Sequence, residues 1–151
     1  MAAFTYSTED EVIDAALHIM ESKLSDREYF TSPLITARYF QLRLAKSERE
    51  IFSVMFLSSQ NQMIATEDIF FGTIDGASVY PREVVKAALR HNAAAVIFAH
   101  NHPSGAAEPS NADKILTSRL VEALALIDIR VLDHIVVSET ETVSFAERGL
   151  L

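Results

Sequence analysis

AAAVIFAHNHPSGAAEPSNAD, residues 93–113, contains the elements on which both the fold and the function depend. The apolar run from Ala94 to Ala99 predicts a buried strand that leads into His100. Ser110 and Asp113 have the spacing of a capping box, which predicts a helix over about 110–126. Residues two apart on a strand end project to the same side, so His100 and His102 face one way. Asp113, in the first turn of the helix, can approach both imidazoles.

This arrangement predicts a zinc site. The chain has no cysteine, so any metal must be bound through histidine and carboxylate. Two histidines and a carboxylate, with a fourth position left to water, form a catalytic zinc site, whereas a structural site is closed by four protein ligands. The zinc-activated water needs a general base. The spacing does not choose the base among Glu48, Glu50, Glu67 and Glu108.

The rest of the chain predicts an α/β or α+β domain with a mixed β-sheet flanked by helices. Helices are expected over about 9–24, 33–45 and 81–92, and strands over about 50–58, 62–71, 129–138 and 142–146. The apolar helix faces include Leu34, Leu89 and Ile115. Four phenylalanines are expected in the core and not as a base-stacking platform: Phe52, Phe56, Phe70 and Phe71.

Length, charge and composition limit the range of possible functions. At 151 residues the chain is the size of one domain, and its formal net charge is −8. Nucleic-acid binding depends on basic contacts to phosphates, so direct binding is disfavoured. The chain lacks an apolar run long enough to span a membrane and a signal-peptide pattern, so we expect a cytoplasmic protein. An exposed sheet edge would permit a homodimer.

HNHPSG followed by PSNAD resembles the JAMM (MPN+) metallopeptidase signature, H-x-H-P followed by S-x-x-D, in the form found in bacterial RadC-like proteins. The segments GTIDGASVYPREVVKAALRHNAAAVIFAHNHPSG, VLDHIVVS and SFAERGLL are also similar to RadC-like sequences. The resemblance covers residues 30–151. It leaves 1–29 as an N-terminal helical segment packed on the domain, and longer RadC-like proteins carry a further N-terminal region of helix-hairpin-helix type, which we expect to be absent here.

The resemblance implies a JAMM-type sheet, similar to that of cytidine deaminases, with zinc on His100, His102 and Asp113. It implies hydrolysis of a peptide or isopeptide bond in a peptide or protein substrate. The family's general base is a glutamate that begins a strand well before the first histidine, and Glu50 matches that position better than Glu48 or Glu67. Ser110 corresponds to the serine that donates a hydrogen bond to the developing oxyanion.

Other interpretations stay open. The chain can be a non-catalytic accessory protein that keeps the fold and acts in DNA repair or mobile-element maintenance. Asp133 and His134 can form a second site, although an Asp-His pair on a strand is more often a satisfied polar pair. His18 and His91 are expected on the surface.

Overall fold

The computed structural model describes residues 5–26, 32–72 and 79–151 of the chain. Within these ranges the helices are α1 (Glu9–Leu24), α2 (Pro33–Leu44), α3 (Pro81–Arg90) and α4 (Asn111–Ala125). The strands are β1 (Ile51–Leu57), β2 (Met63–Phe71), β3 (Ala95–Asn101), β4 (Arg130–Val137) and β5 (Thr142–Ser144). The predicted order of elements is confirmed, and the observed ends differ only slightly from the predicted ones. No helix in the described ranges is long and apolar enough to cross a membrane.

The strands form one mixed sheet with the order β2-β1-β3-β4-β5. β1 is antiparallel to both β2 and β3, and β4 is antiparallel to β5. β3 and β4 are parallel and are joined through α4. Ligand sites in α/β sheets lie beyond the carboxyl ends of parallel strands, and His100 lies at that end of β3. The predicted fold class, a mixed sheet flanked by helices, is confirmed.

The two faces of the sheet are covered by different helices. Alternate residues of β1 and β3, including Val54 and Phe98, pack with α3 and α4 in one apolar cluster. The intervening residues, including Met55 and Ile97, pack with α1 and α2 in a second cluster. Because side chains alternate along a strand, His100 falls on the α3/α4 face and Asn101 on the α1/α2 face.

Several residues expected in the core are exposed. Phe71, the last residue of the edge strand β2, is 50% exposed, and the Arg49 guanidinium lies 4.7 Å from the centroid of its ring. Leu34, Leu89 and Ile115 are also exposed, because each helix buries a narrower stripe than the apolar pattern predicts. In α2 that stripe follows Thr36, Phe40 and Leu44, and Leu34 lies two residues, or about 200°, from Thr36 around the helix.

The histidines outside the predicted site differ from each other. His18 is exposed, as predicted. His91 is the C-cap of α3, and its ring stacks on buried Phe56 with centroids 4.6 Å apart. His91 is therefore half-buried, because its ring packs on a residue of β1, and its expected surface position is only partly right.

The N-terminal segment contains α1, which packs against the domain. Leu24 is buried in the same apolar cluster as Tyr39 and Phe40 of α2. The predicted boundary between residues 29 and 30 lies outside the described residues.

Candidate metal centre

The carboxyl end of β3 sets the direction of the two histidines. His100 pairs with Phe52 of β1 and Val136 of β4, so its backbone is held on both sides. The His102 amide donates to the carbonyl of Val137 (2.9 Å). His102 Nδ1 lies 2.9 Å from the carbonyl of Ala106. A carbonyl only accepts, so Nδ1 of His102 carries a proton, and in the neutral ring Nε2 presents a lone pair to the site.

The start of α4 orients the carboxylate. Ser110 is the N-cap, and its Oγ accepts from the Asp113 amide (3.0 Å). In return, Asp113 Oδ2 accepts from the Ser110 amide (2.8 Å). Capping does not prevent Asp113 from facing the histidines, because the same Oδ2 that accepts from the Ser110 amide also faces both imidazoles.

His100 Nε2, His102 Nε2 and Asp113 Oδ2 converge. The two nitrogens are 2.9 Å apart, and Oδ2 lies 3.3 Å from each of them. Tetrahedral zinc with bonds of about 2.0–2.1 Å places its ligand atoms about 3.3–3.4 Å from one another. His100 and Asp113 are almost fully buried and His102 is partly exposed. The three groups can therefore hold a divalent metal, with His102 on the side open to solvent.

The pKa shifts of Asp113 and His102 are those expected of groups that can bind a metal. Burial raises the pKa of the Asp113 carboxyl, but the hydrogen bonds that His100 and His102 donate when their Nε2 atoms carry a proton outweigh burial and hold that pKa far below its usual value in the metal-free protein. The hydrogen bond to Asp113 raises the pKa of His102, with smaller contributions that include the charge of Glu50. Asp113 is thus ionised in the folded protein, as a metal ligand must be.

Asn101 holds the segment that contains Glu50. Its Oδ1 accepts from the Ile51 amide (2.7 Å), and its Nδ2 donates to the carbonyl of Arg49 (3.0 Å). The Glu50 carbonyl accepts from the Gly72 amide (2.8 Å). The backbone on both sides of Glu50 is therefore fixed to β3, and the Glu50 charge acts on His102.

The other candidate carboxylates lie in different surroundings. Glu67 forms an ion pair with Arg90 (3.1 Å) and lies 3.4 Å from His91 Nε2, beside the end of α3. Glu108 forms an exposed ion pair with Arg148 (2.7 Å). Glu48 lies in an open groove beside His102. Glu67 and Glu108 thus have cationic partners of their own, whereas Glu48 lines the same groove as His102 and Glu50 lies between the two backbone positions that Asn101 holds.

Asp133 and His134 are linked through the backbone, because the His134 amide donates to Asp133 Oδ1 (2.7 Å), but their side chains have different partners. The Asp133 carboxylate accepts from Ser144 Oγ (2.6 Å) and the Ala146 amide (3.0 Å), which fixes the turn after β5. The His134 ring points to the opposite face, where its Nε2 lies 2.7 Å from His100 Nδ1. Burial, with a smaller effect of His100, holds the pKa of His134 well below its usual value. Sequence spacing could not reveal this contact, because it joins two separate strands.

The fold and the site define an α/β domain with a His-His-Asp group suited to a metal at the end of a parallel strand pair. A family model described as "RadC-like JAB domain" matches residues 30–150. The chain belongs to this family.

Named relatives cover the same region. The chain is 60% identical over 132 residues to a UPF0758 protein of Nitrosococcus oceani, a match that covers 87% of this chain and 59% of the relative. It is 56% identical over 140 residues to a UPF0758 protein of Cellvibrio japonicus, covering 93% of this chain and 62% of the relative. The chain thus spans about 60% of the length of these relatives. Their names state no activity.

Proposed function

We propose that this chain is a zinc-dependent hydrolase of amide bonds, with a peptide or isopeptide in a peptide or protein as its substrate. The observation that carries the proposal is the triangle of His100 Nε2, His102 Nε2 and Asp113 Oδ2, with sides of 2.9, 3.3 and 3.3 Å. This triangle has nearly the size of one face of a zinc tetrahedron. Three protein ligands leave the fourth position open, which distinguishes a catalytic site from a structural one.

Zinc at this position would supply Lewis acidity, which makes water nucleophilic near neutral pH and polarises a substrate carbonyl. His100, His102 and Asp113 would hold it. Glu50 would take the proton of the attacking water and deliver it to the leaving amine. The Ser110 hydroxyl would donate a hydrogen bond to the carbonyl oxygen as it becomes negative.

The choice of Glu50 as the base rests on its surroundings. Asn101, at the end of the strand that leads to His102, fixes the backbone at both neighbours of Glu50, and the Glu50 charge is the smallest of the effects that raise the pKa of His102. By contrast, the Glu67 carboxylate is already paired with Arg90 and lies beside His91. Ser110 is exposed, so its hydroxyl can meet a substrate that enters from the solvent side.

The net charge of −8 favours a protein substrate over nucleic acid, and a cytoplasmic location belongs to the same proposal. The family membership supports the class of chemistry.

The test compares Glu50→Gln with the parent and with Glu67→Gln as a matched control. Zinc is measured by elemental analysis, and hydrolysis with a library of fluorogenic peptides and isopeptides. We expect about one zinc per chain in all three proteins. We expect hydrolysis to fall by about 100-fold to 10,000-fold in Glu50→Gln alone, because only that variant loses the proton carrier. A parent protein that contains no zinc after expression with zinc available would rule the proposal out.

A further inference from the structure

A chain of buried hydrogen bonds connects two of the three converging groups behind the site. Thr117 Oγ1 donates to the backbone carbonyl of Asp113 (2.7 Å). Thr117 Oγ1 also lies 2.6 Å from His134 Nδ1, and His134 Nε2 lies 2.7 Å from His100 Nδ1. Thr117 and His134 are almost completely buried, as are His100 and Asp113. The chain therefore starts at the backbone of one proposed ligand and ends at the ring of another.

The direction of every hydrogen bond in this chain is determined at one end. The Asp113 carbonyl can only accept, so the Thr117 hydroxyl must donate to it. The single hydroxyl proton is then used, and Thr117 Oγ1 can only accept from His134 Nδ1–H. A neutral imidazole with its proton on Nδ1 has a lone pair on Nε2. His134 Nε2 therefore accepts from His100 Nδ1–H, and in the neutral His100 ring the lone pair is then on Nε2, toward Asp113 and His102.

We propose that Thr117 and His134 are positioning residues of the metal site, which fix the proton of His100 on Nδ1 and direct its Nε2 to the metal. This inference rests on the proposed function, because it assigns residues that support the metal ligands. Histidine ligands commonly donate their second ring N–H to an acceptor that sets their tautomer and orientation. Here that acceptor is a second histidine, which itself needs Thr117 to have the right tautomer.

The surroundings of His134 hold its ring in one orientation. The ring stacks on Phe145 with centroids 4.6 Å apart. It meets the rings of Phe52 and Phe98 edge to face at 5.6 and 5.8 Å. The sides of the ring are thus closed by aromatic carbon, and the polar partners of its nitrogens are Thr117 and His100. Rotation of the ring would break both hydrogen bonds in a buried place, which is unfavourable.

The experiment removes only the hydroxyl of Thr117 and uses a matched threonine elsewhere. Thr36 has the same local chemistry: it is buried in α2, and its Oγ1 donates to the carbonyl four residues earlier, that of Ser32 (3.0 Å). It lies on the opposite face of the sheet, away from the histidines. Thr36→Val therefore reproduces the general cost of the substitution without touching the chain of hydrogen bonds.

Zinc affinity is measured by competition with a chromophoric chelator. We expect Thr117→Val to bind zinc about 10-fold to 100-fold more weakly than the parent, the range found when the hydrogen-bond partner of a metal ligand is lost. Thr117→Ser should restore the affinity, because a serine hydroxyl makes both hydrogen bonds. Thr36→Val should bind zinc as the parent does. Equal zinc affinity in Thr117→Val and Thr36→Val would overturn the inference.

A second measurement does not depend on zinc. The ¹⁵N shifts of the His134 ring nitrogens in the unmodified, zinc-free protein report which nitrogen carries the proton. We expect the proton on Nδ1, and a proton on Nε2 would overturn the inference even if Thr117→Val failed to fold. If the parent bound no zinc, the proposed function would fail, and the His134 tautomer would still decide whether the chain of hydrogen bonds runs as assigned.

Discussion

Helices α2 and α4 begin in the same way on opposite faces of the sheet, yet only α4 contributes to a candidate site. Each has a serine N-cap whose Oγ accepts from the amide three residues later: Ser32 from Ile35 (3.1 Å) and Ser110 from Asp113 (3.0 Å). The third helical position is apolar in α2 and carboxylic in α4. Local capping is therefore shared, and the difference comes from which side chain stands at that position and what lies opposite it.

The residues that face the third helical position of each helix explain the rest of the difference. Ile35 packs at the margin of the apolar cluster formed with α1. Asp113 faces His100 and His102 at 3.3 Å. A carboxylate placed over the apolar face would lose its hydration without a partner, whereas at the end of β3 two imidazoles compensate for it. The comparison teaches that the capping box is a structural device that becomes functional through the strand it faces.

The largest expected effect follows from changing the third helical position of α4. In Asp113→Asn the amide oxygen can still accept from the Ser110 amide, so the helix keeps its cap, but the negative charge is lost. We expect zinc affinity to fall by at least about 100-fold, more than for the loss of a supporting partner. Ile35→Val, the mild change at the matching position of α2, should cost about 1 kcal/mol of unfolding free energy or less. Its zinc content should not change.

Elemental analysis and chemical denaturation of the two variants check this contrast. If Asp113→Asn bound zinc with the affinity of the parent, the carboxylate of α4 would only cap its helix, like the serine of α2. The difference between the two helix starts would then have no bearing on metal binding.

A smaller effect separates the two serine caps. Ser110→Ala and Ser32→Ala should each cost about 1 kcal/mol of unfolding free energy, because each removes one helix cap. Only Ser110→Ala should lower kcat, by about 100-fold to 1000-fold, the usual effect of losing one oxyanion donor. Zinc content should stay the same in both, since the backbone amide of Ser110 still holds Asp113. Steady-state hydrolysis by the two variants measures the difference, and equal kcat values would limit Ser110 to its capping role.

Much of this contrast could be predicted from the sequence, because it depends on local spacing. The pattern H-x-H on a strand end and S-x-x-D on a helix start indicated His100, His102 and Asp113, and the structure brings these side chains together. The helix starts at Pro33 and Asn111 follow from serine caps that local sequence identifies.

The contacts between strands could not be predicted in the same way. His134 lies 34 residues from His100 along the chain, and its ring nitrogen is 2.7 Å from that of His100 only because β3 and β4 are parallel neighbours. The adjacency of Asp133 and His134 suggested a pair, but consecutive strand residues point to opposite faces. Phe71 was expected in the core because strand periodicity does not show that β2 is an edge strand.

The smallest expected effect tests Asn101, a polar side chain of the α1/α2 face that holds the backbone on both sides of Glu50. In Asn101→Ala the Ile51 amide and the Arg49 carbonyl lose their partner, which we expect to cost about 1–3 kcal/mol of unfolding free energy. Displacement of Glu50 by a fraction of an ångström should lower kcat by about 10-fold. Zinc should be retained, because the ligands lie on the other side of β3.

A double-mutant cycle shows whether this loss acts through Glu50. If Asn101 only positions Glu50, Asn101→Ala should add no further loss of kcat to Glu50→Gln, whereas independent effects would multiply. A loss of zinc in Asn101→Ala would show instead that the two faces of the sheet are coupled at the end of β3. In that case both faces of the sheet would help to hold the metal. The difference between α2 and α4 would then concern only the residues at their N-termini, and not which face forms the site.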